Sequence, residues 1–219
     1  MKFCMTETIM AAIIGAAISL ITTMLTLMVN AVIEKSKVQA ERQQRKEEAK
    51  REKLTDIYTE LVSIINSYPK ESPNNALENI EYPPYYEMES FDSIVDILNY
   101  QIKDYKRLLE NKSITIDAKN HYEMQIRKRK YAIEQVLKIK EDYFIARDAY
   151  RDFCKTKKMV LDLYAGQTVK NNIVEFEVII HNVFISGYNL DDVYDPQYNK
   201  IEVIRRDIIN SMRNDIGLN

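Results

Sequence analysis

Glycine is scarce in this chain, four residues in 219, and proline is limited to five. β-Sandwiches and dinucleotide-binding α/β folds draw on glycine for turns and close backbone approach, so both are disfavoured. Tryptophan is absent, and there are only two cysteines and two histidines. That excludes a disulfide framework and a Cys/His-rich metal site. No sign of charge dominates: 31 Lys and Arg against 33 Asp and Glu leave a net charge of −2. A globally basic nucleic-acid binder is disfavoured on that balance. What is present is apolar, with a hydrophobic share of 46% that excludes a disordered chain. The class that remains is all-α.

Charge disappears altogether between Glu7 and Glu34, which leaves 26 residues, Thr8 to Ile33, without any. About 20 apolar residues suffice to cross a bilayer core as a helix. A cleaved signal peptide is the rival, with Val29-Asn30-Ala31 as its cleavage site. The run is longer than a usual signal core, and Lys2 in the leader is offset by Glu7. The expectation is therefore a short extracytoplasmic leader at 1–7 and an uncleaved transmembrane helix at 8–33. Eight bases follow the span between Glu34 and Lys53, against Lys2 before it. The positive-inside rule then places the N-terminus outside and the remainder in the cytoplasm. Unpaired Cys4 and Cys154 fit no structural disulfide, and Cys4 precedes the apolar run, which argues against a lipoprotein anchor.

The span is patterned. Ala12, Gly15, Ser19, Thr22, Thr26 and Asn30 recur at spacings of three and four, so they form one helical stripe. Small residues let helix backbones approach, and hydroxyls bond across a helix pair, which marks a self-association face. Two other readings compete: the hydroxyls bond back to their own helix, or Ser19, Thr22 and Thr26 line a pore in a ring.

Residues 34–53 read as a charged helical stalk. They carry no Gly or Pro, and Glu41–Arg45 and Glu47–Arg51 are spaced for ion pairs along a helix. The eight bases exceed five acids by three. Lys35, Lys37, Arg42, Arg45 and Lys46 are candidate contacts to anionic lipid headgroups, worth about 1 kcal/mol per well-placed base. The plainer account is an ordinary positive flank.

Residues 54–219 are expected to form a cytosolic antiparallel bundle of four to five helices, with a proline-rich linker at 69–89. Leu54, Ile57, Leu61, Ile64 and Tyr68 set an apolar face in phase with the span, so one continuous helix from about 8 to 68 is expected, ended by Pro69. Phe91, Val95, Leu98, Ile102, Tyr105 and Leu109 follow the same spacing after a Ser90 N-cap. A long helix opens at Thr115 or Asp117 and carries Ile126, Ile133, Val136, Leu137, Tyr143, Phe144, Tyr150 and Phe153 as its apolar contacts. Gly166 reads as the end of a helix and Thr168 as the N-cap of the next, which carries Val169, Ile173, Phe176, Ile180 and Val183. The composition of 173–185 allows a strand, but its period decides for helix. Ile201, Ile204, Ile208 and Met212 mark the last helix.

Chemistry-bearing motifs are sparse. There is no HExxH, no phosphate-binding glycine loop and no GxSxG. Asp191, Asp192 and Asp195 share a loop without the spacing of a calcium site. Pro83-Pro84-Tyr85-Tyr86 matches the short pattern read by WW domains, although prolines beside a Tyr pair are also ordinary loop composition. Arg127, Lys128, Arg129 and Lys130 are lesser candidates for RNA contact. Helical RNases of the HEPN type place an Arg four to six residues before a His, and neither His121 nor His181 has one.

With Ile13-Ile14-Gly15-Ala16, Ile57-Tyr58-Thr59-Glu60-Leu61, Leu163-Tyr164-Ala165-Gly166 and Met212-Arg213-Asn214-Asp215-Ile216-Gly217, the chain resembles uncharacterised bacterial and phage-borne single-pass membrane proteins with a charged stalk and a helical bundle. The resemblance implies no enzyme and no cofactor, and by analogy a role in phage–host conflict. The expected function is a non-catalytic, membrane-anchored bundle that self-associates and acts through protein contacts. Its partners would be the lipid bilayer, a second copy of itself and a cytosolic protein; no motif indicates a small-molecule substrate. The alternatives are a pore-forming effector and an RNA-contacting accessory module with a HEPN-like bundle.

Overall fold

The computed structural model describes residues 3–111, 113–190 and 195–218, and Lys2, Asp191 and Asp192 lie outside them. Seven helices are present among the described residues, and no strand. They are α1 (Phe3–Ser67), α2 (Pro73–Leu77), α3 (Phe91–Leu109), α4 (Ile116–Thr156), α5 (Lys158–Tyr164), α6 (Gln167–Phe184) and α7 (Lys200–Asp215). The chain divides into two compact units, Met1–Glu52 and Lys53–Asn219, with the division inside α1.

In the first unit, α1 carries one stretch long and apolar enough to cross a membrane, and none of it is buried against protein. The charged turns after Ile33 are also exposed, with Gln43 donating to Glu47 and Gln44 to Glu48, both at 2.8 Å. Those pairs sit four residues apart, the spacing at which helical side chains meet.

The second unit has one apolar core. Leu54, Leu61 and Ile65 from α1, and Tyr68 just after it, meet Phe91, Ile94 and Leu98 from α3, and Val136, Ile139 and Tyr143 from α4. Val169, Ile173, Phe176 and Ile180 of α6, and Ile201, Ile204, Ile208 and Met212 of α7, complete it. Most residues of the apolar stripes read from the sequence thus lie on buried faces, because a 3.6-residue period puts each set on one side of its helix, but Leu137 of α4 falls off that side and is exposed. On α3 the buried set is Phe91, Ile94, Leu98 and Ile102, whereas Val95, Tyr105 and Leu109 are half-buried. Phe91 packs on Phe144 with ring centroids 5.7 Å apart, and Tyr105 on Tyr122 at the same distance. The start of α3 therefore meets the second half of α4, which makes the pair antiparallel.

Helix starts follow side-chain chemistry. Thr115 opens α4 by accepting the Ala118 N–H at 3.3 Å, and Asn199 opens α7 by accepting the Ile201 and Glu202 N–H groups. Thr168 is not the N-cap of α6. That position is Gly166, whose extended backbone (φ −65°, ψ 155°) also rules out the left-handed helix end read for it from the sequence.

The proline-rich segment 69–89 contains a helix that its composition hides. Ser72 and Asn75 form a reciprocal capping box around α2, with Pro73 in the first turn. Asn74 then stitches the segment to the loop after α6. Its amide donates to Tyr86 O at 3.1 Å and Gly187 O at 2.6 Å, and its oxygen accepts the Tyr86 N–H at 2.9 Å. Met88 N–H donates to Ile185 O at 2.8 Å. Tyr82, Met88 and Glu89 hold left-handed backbone conformations, which non-glycine residues adopt at a cost.

Candidate functional site

On α1, Ala12, Gly15, Ser19, Thr22, Thr26 and Asn30 are all exposed, so the stripe is free of intramolecular packing. The space around Gly15 is open, with no atom beyond its neighbours and the backbone of its own helix turns within 4 Å of where a Cβ would stand. The hydroxyls turn back on their own helix: Thr22 donates to Ile18 O and Thr26 to Thr22 O, both at 2.8 Å. Thr23 does the same to Ser19 O at 2.8 Å. Their hydrogens are therefore spent locally, and what they offer a neighbouring helix is an acceptor and a small profile. Lys35, Lys37, Arg42, Arg45 and Lys46 are exposed along the next turns.

The basic quartet of α4 splits. Arg127, Lys128 and Lys130 are exposed, but Arg129 is only 1% exposed and cannot serve as an RNA contact. Its Nε donates to Gln101 at 2.8 Å, and its terminal nitrogens donate to Gln125 at 2.7 Å and to Glu81 O at 2.6 Å. The guanidinium also lies over the Tyr105 ring at 4.6 Å. Burial pulls its pKa below the usual arginine value, against the opposing pull of Tyr105 and Glu81. The reason for the inward turn was visible: stepping three and four residues along α4 from Ile126 lands on Arg129, then Ile133 and Val136. Arg129 occupies a core position and clamps the 78–90 segment to α3 and α4.

Tyr86 of the Pro-Pro-x-Tyr pattern is fully buried, and its hydroxyl donates to Phe184 O at 2.8 Å. A WW domain has no access to it. Asp195 accepts the Gln197 N–H at 2.8 Å, a local turn bond. His121 stands 3.2 Å from Glu81 at the surface, and His181 is exposed on α6. Among the described residues no three His, Cys, Asp or Glu converge as metal ligands.

A further polar cluster lies between α4, α5 and α6. Tyr150 donates to Glu177 at 2.6 Å, and Lys158 stands 4.0 Å from the same carboxylate. Cys154 is half-buried beside them, and burial raises its thiol pKa above the usual range. A raised pKa keeps the thiol protonated and unreactive at neutral pH. Arg205 of α7 escaped sequence reading. Its Nε donates to Ile65 O at 3.1 Å and a terminal nitrogen donates to Tyr68 O, so a buried cation caps the C-terminal end of α1. The only hint is its place beside the apolar stripe Ile201-Ile204-Ile208.

No family model, no curated protein and no solved structure matches this chain.

Proposed function

We propose that the chain is a non-catalytic, single-pass membrane protein whose helical bundle acts through protein contacts and which self-associates through its span. The observation that carries this reading is the unburied apolar face of α1. Ile9, Ile13, Ile14, Ile18, Leu20, Ile21, Leu25, Leu27 and Val32 are all exposed. Each such side chain gains about 1.5–3 kcal/mol on leaving water, so the segment demands an apolar surrounding. A helix also satisfies its own backbone groups, as lipid requires. The charge-free length and the eight bases beyond it support the same reading, with the N-terminus outside and the bundle cytoplasmic. A self-associating span is supported by the free stripe at Ala12, Gly15, Ser19 and Thr22. Alkaline carbonate extraction of membranes, followed by crosslinking of the retained protein, tests both parts. The expected result is a carbonate-resistant protein that crosslinks to itself. Release into the carbonate supernatant would remove the anchor and with it the span as an interface.

A further inference from the structure

A cavity of about 450 Å³ opens in the Lys53–Asn219 unit at the C-terminal end of α1. Lys70 and Glu71, which follow that end, form one wall, and Gln135, Lys138 and Asp142 of α4 form another. Arg205 lines it from α7 and is only 7% exposed. A guanidinium carries five N–H groups, one on Nε and two on each terminal nitrogen. Here Nε donates to Ile65 O at 3.1 Å, one terminal nitrogen donates to Tyr68 O, and the other donates to Glu202 at 2.6 Å. One N–H on each terminal nitrogen is left without an acceptor among the described residues. The ammonium groups of Lys70 and Lys138 likewise have no partner among them.

An unspent N–H on a buried cation costs free energy until an acceptor reaches it. N–H groups on the two terminal nitrogens of a guanidinium can together meet two oxygens of one carboxylate or phosphate. The rest of the wall sets the charge. Glu202 balances Arg205, while Glu71 and Asp142 offset Lys70 and Lys138, so a multiply charged anion is not favoured. We propose that this cavity binds a small, singly charged oxyanion of carboxylate or phosphate type, held by the Arg205 fork and flanked by Lys70 and Lys138. The site is independent of the membrane reading.

The test uses the full chain in detergent micelles at a pH below the second ionisation of phosphate, with acetate and inorganic phosphate as singly charged probes, each titrated against chloride at constant ionic strength. Thermal unfolding followed by circular dichroism reports binding as a saturable rise in Tm. A rise with acetate alone assigns a carboxylate ligand, and a rise with phosphate alone assigns a phosphate. Lys70→Ala combined with Lys138→Ala removes only exposed side chains, so it should unfold at the wild-type temperature without anion and need at least tenfold more anion for the same rise. Lys128→Ala combined with Lys130→Ala removes equal charge away from the cavity and should bind as wild type. Arg205→Lys, which keeps a charge and loses the fork, should abolish the saturable rise. Absence of a saturable rise with either anion, or an undiminished rise in the Lys70/Lys138 variant, would overturn the proposal.

Discussion

Asp215, the last residue of α7, accepts the Gly166 N–H at 2.9 Å, at the start of α6. The same carboxylate oxygen accepts the Tyr58 hydroxyl from α1. One acidic group thus joins three segments that lie far apart in the chain. Its negative charge stands at the N-terminal end of α6, where the helix dipole favours it. A Cβ added to Gly166 would stand 2.9 Å from the other Asp215 oxygen, so the glycine is there for close approach rather than for backbone freedom.

Gly166→Ala and Tyr58→Phe should each lower stability by about 1–2 kcal/mol, the first by displacing the carboxylate and the second by removing a donor to it. Because both act through Asp215, the double variant should lose clearly less than the sum. Chemical denaturation of the four proteins provides the cycle, and full additivity would mean that the two donors do not share one acceptor.

Alkaline pH should unfold the second unit steeply. Burial is the main cause that raises the pKa of Tyr58, Tyr68, Tyr86 and Tyr143 above the usual tyrosine value of about 10, so in the folded state each stays protonated where the unfolded chain ionises. Below pH 10 both states are protonated and these groups leave stability unchanged. Above it, each costs about 1.4 kcal/mol per pH unit. Tyrosinate absorbance and far-UV circular dichroism should therefore change together and cooperatively; buried tyrosines that ionise while helicity is kept would contradict the prediction.

Gly187→Ala should be among the most damaging single changes. Its φ of +74° disfavours any Cβ, and the added atom would stand 2.1 Å from Tyr86 O. The junction between Asn74, Tyr86 and Gly187 would have to open, with a loss of at least about 2 kcal/mol expected in denaturant titration.

Arg129→Ala should cost about 3–5 kcal/mol, since Gln101, Gln125 and Glu81 O lose their shared donor inside the protein. Arg127→Ala and Lys130→Ala, on exposed positions of the same helix, should stay within about 0.5 kcal/mol. Equal effects at all three positions in thermal melts would contradict the inward placement of Arg129.

Gly15→Leu places a bulky side chain where two spans would meet. It should reduce self-association in a membrane two-hybrid or crosslinking assay while leaving insertion intact, because leucine suits lipid better than glycine. Ile18→Ala, off the stripe, should matter less. An undiminished signal for Gly15→Leu would move any association to the Lys53–Asn219 unit.

Much of the fold was legible because helices announce themselves locally. The positions Leu54, Ile57, Leu61 and Ile64, and again Val169, Ile173, Phe176 and Ile180, repeat at helical spacing and are buried as that spacing requires. The same rule kept 173–185 helical despite its β-branched residues. The 69–89 segment was opaque for the converse reason. Its helix α2 is five residues long, too short to show a period, and is held by a capping box and by Asn74. The stripe along the span could be read from the sequence because one helix supplies every position.

The sequence by itself determined the apolar span, the charged turns after it and the faces of the longer helices, because each depends on neighbours within a few residues. Only the tertiary structure decided which distant groups meet Arg129, that Tyr86 is closed to any partner, that Arg205 caps α1 and that Asp215 meets Gly166. Those outcomes depend on partners between 28 and 140 residues away. Hydrogen bonds and desolvation at such separations are set by how helices pack, and no local spacing records them.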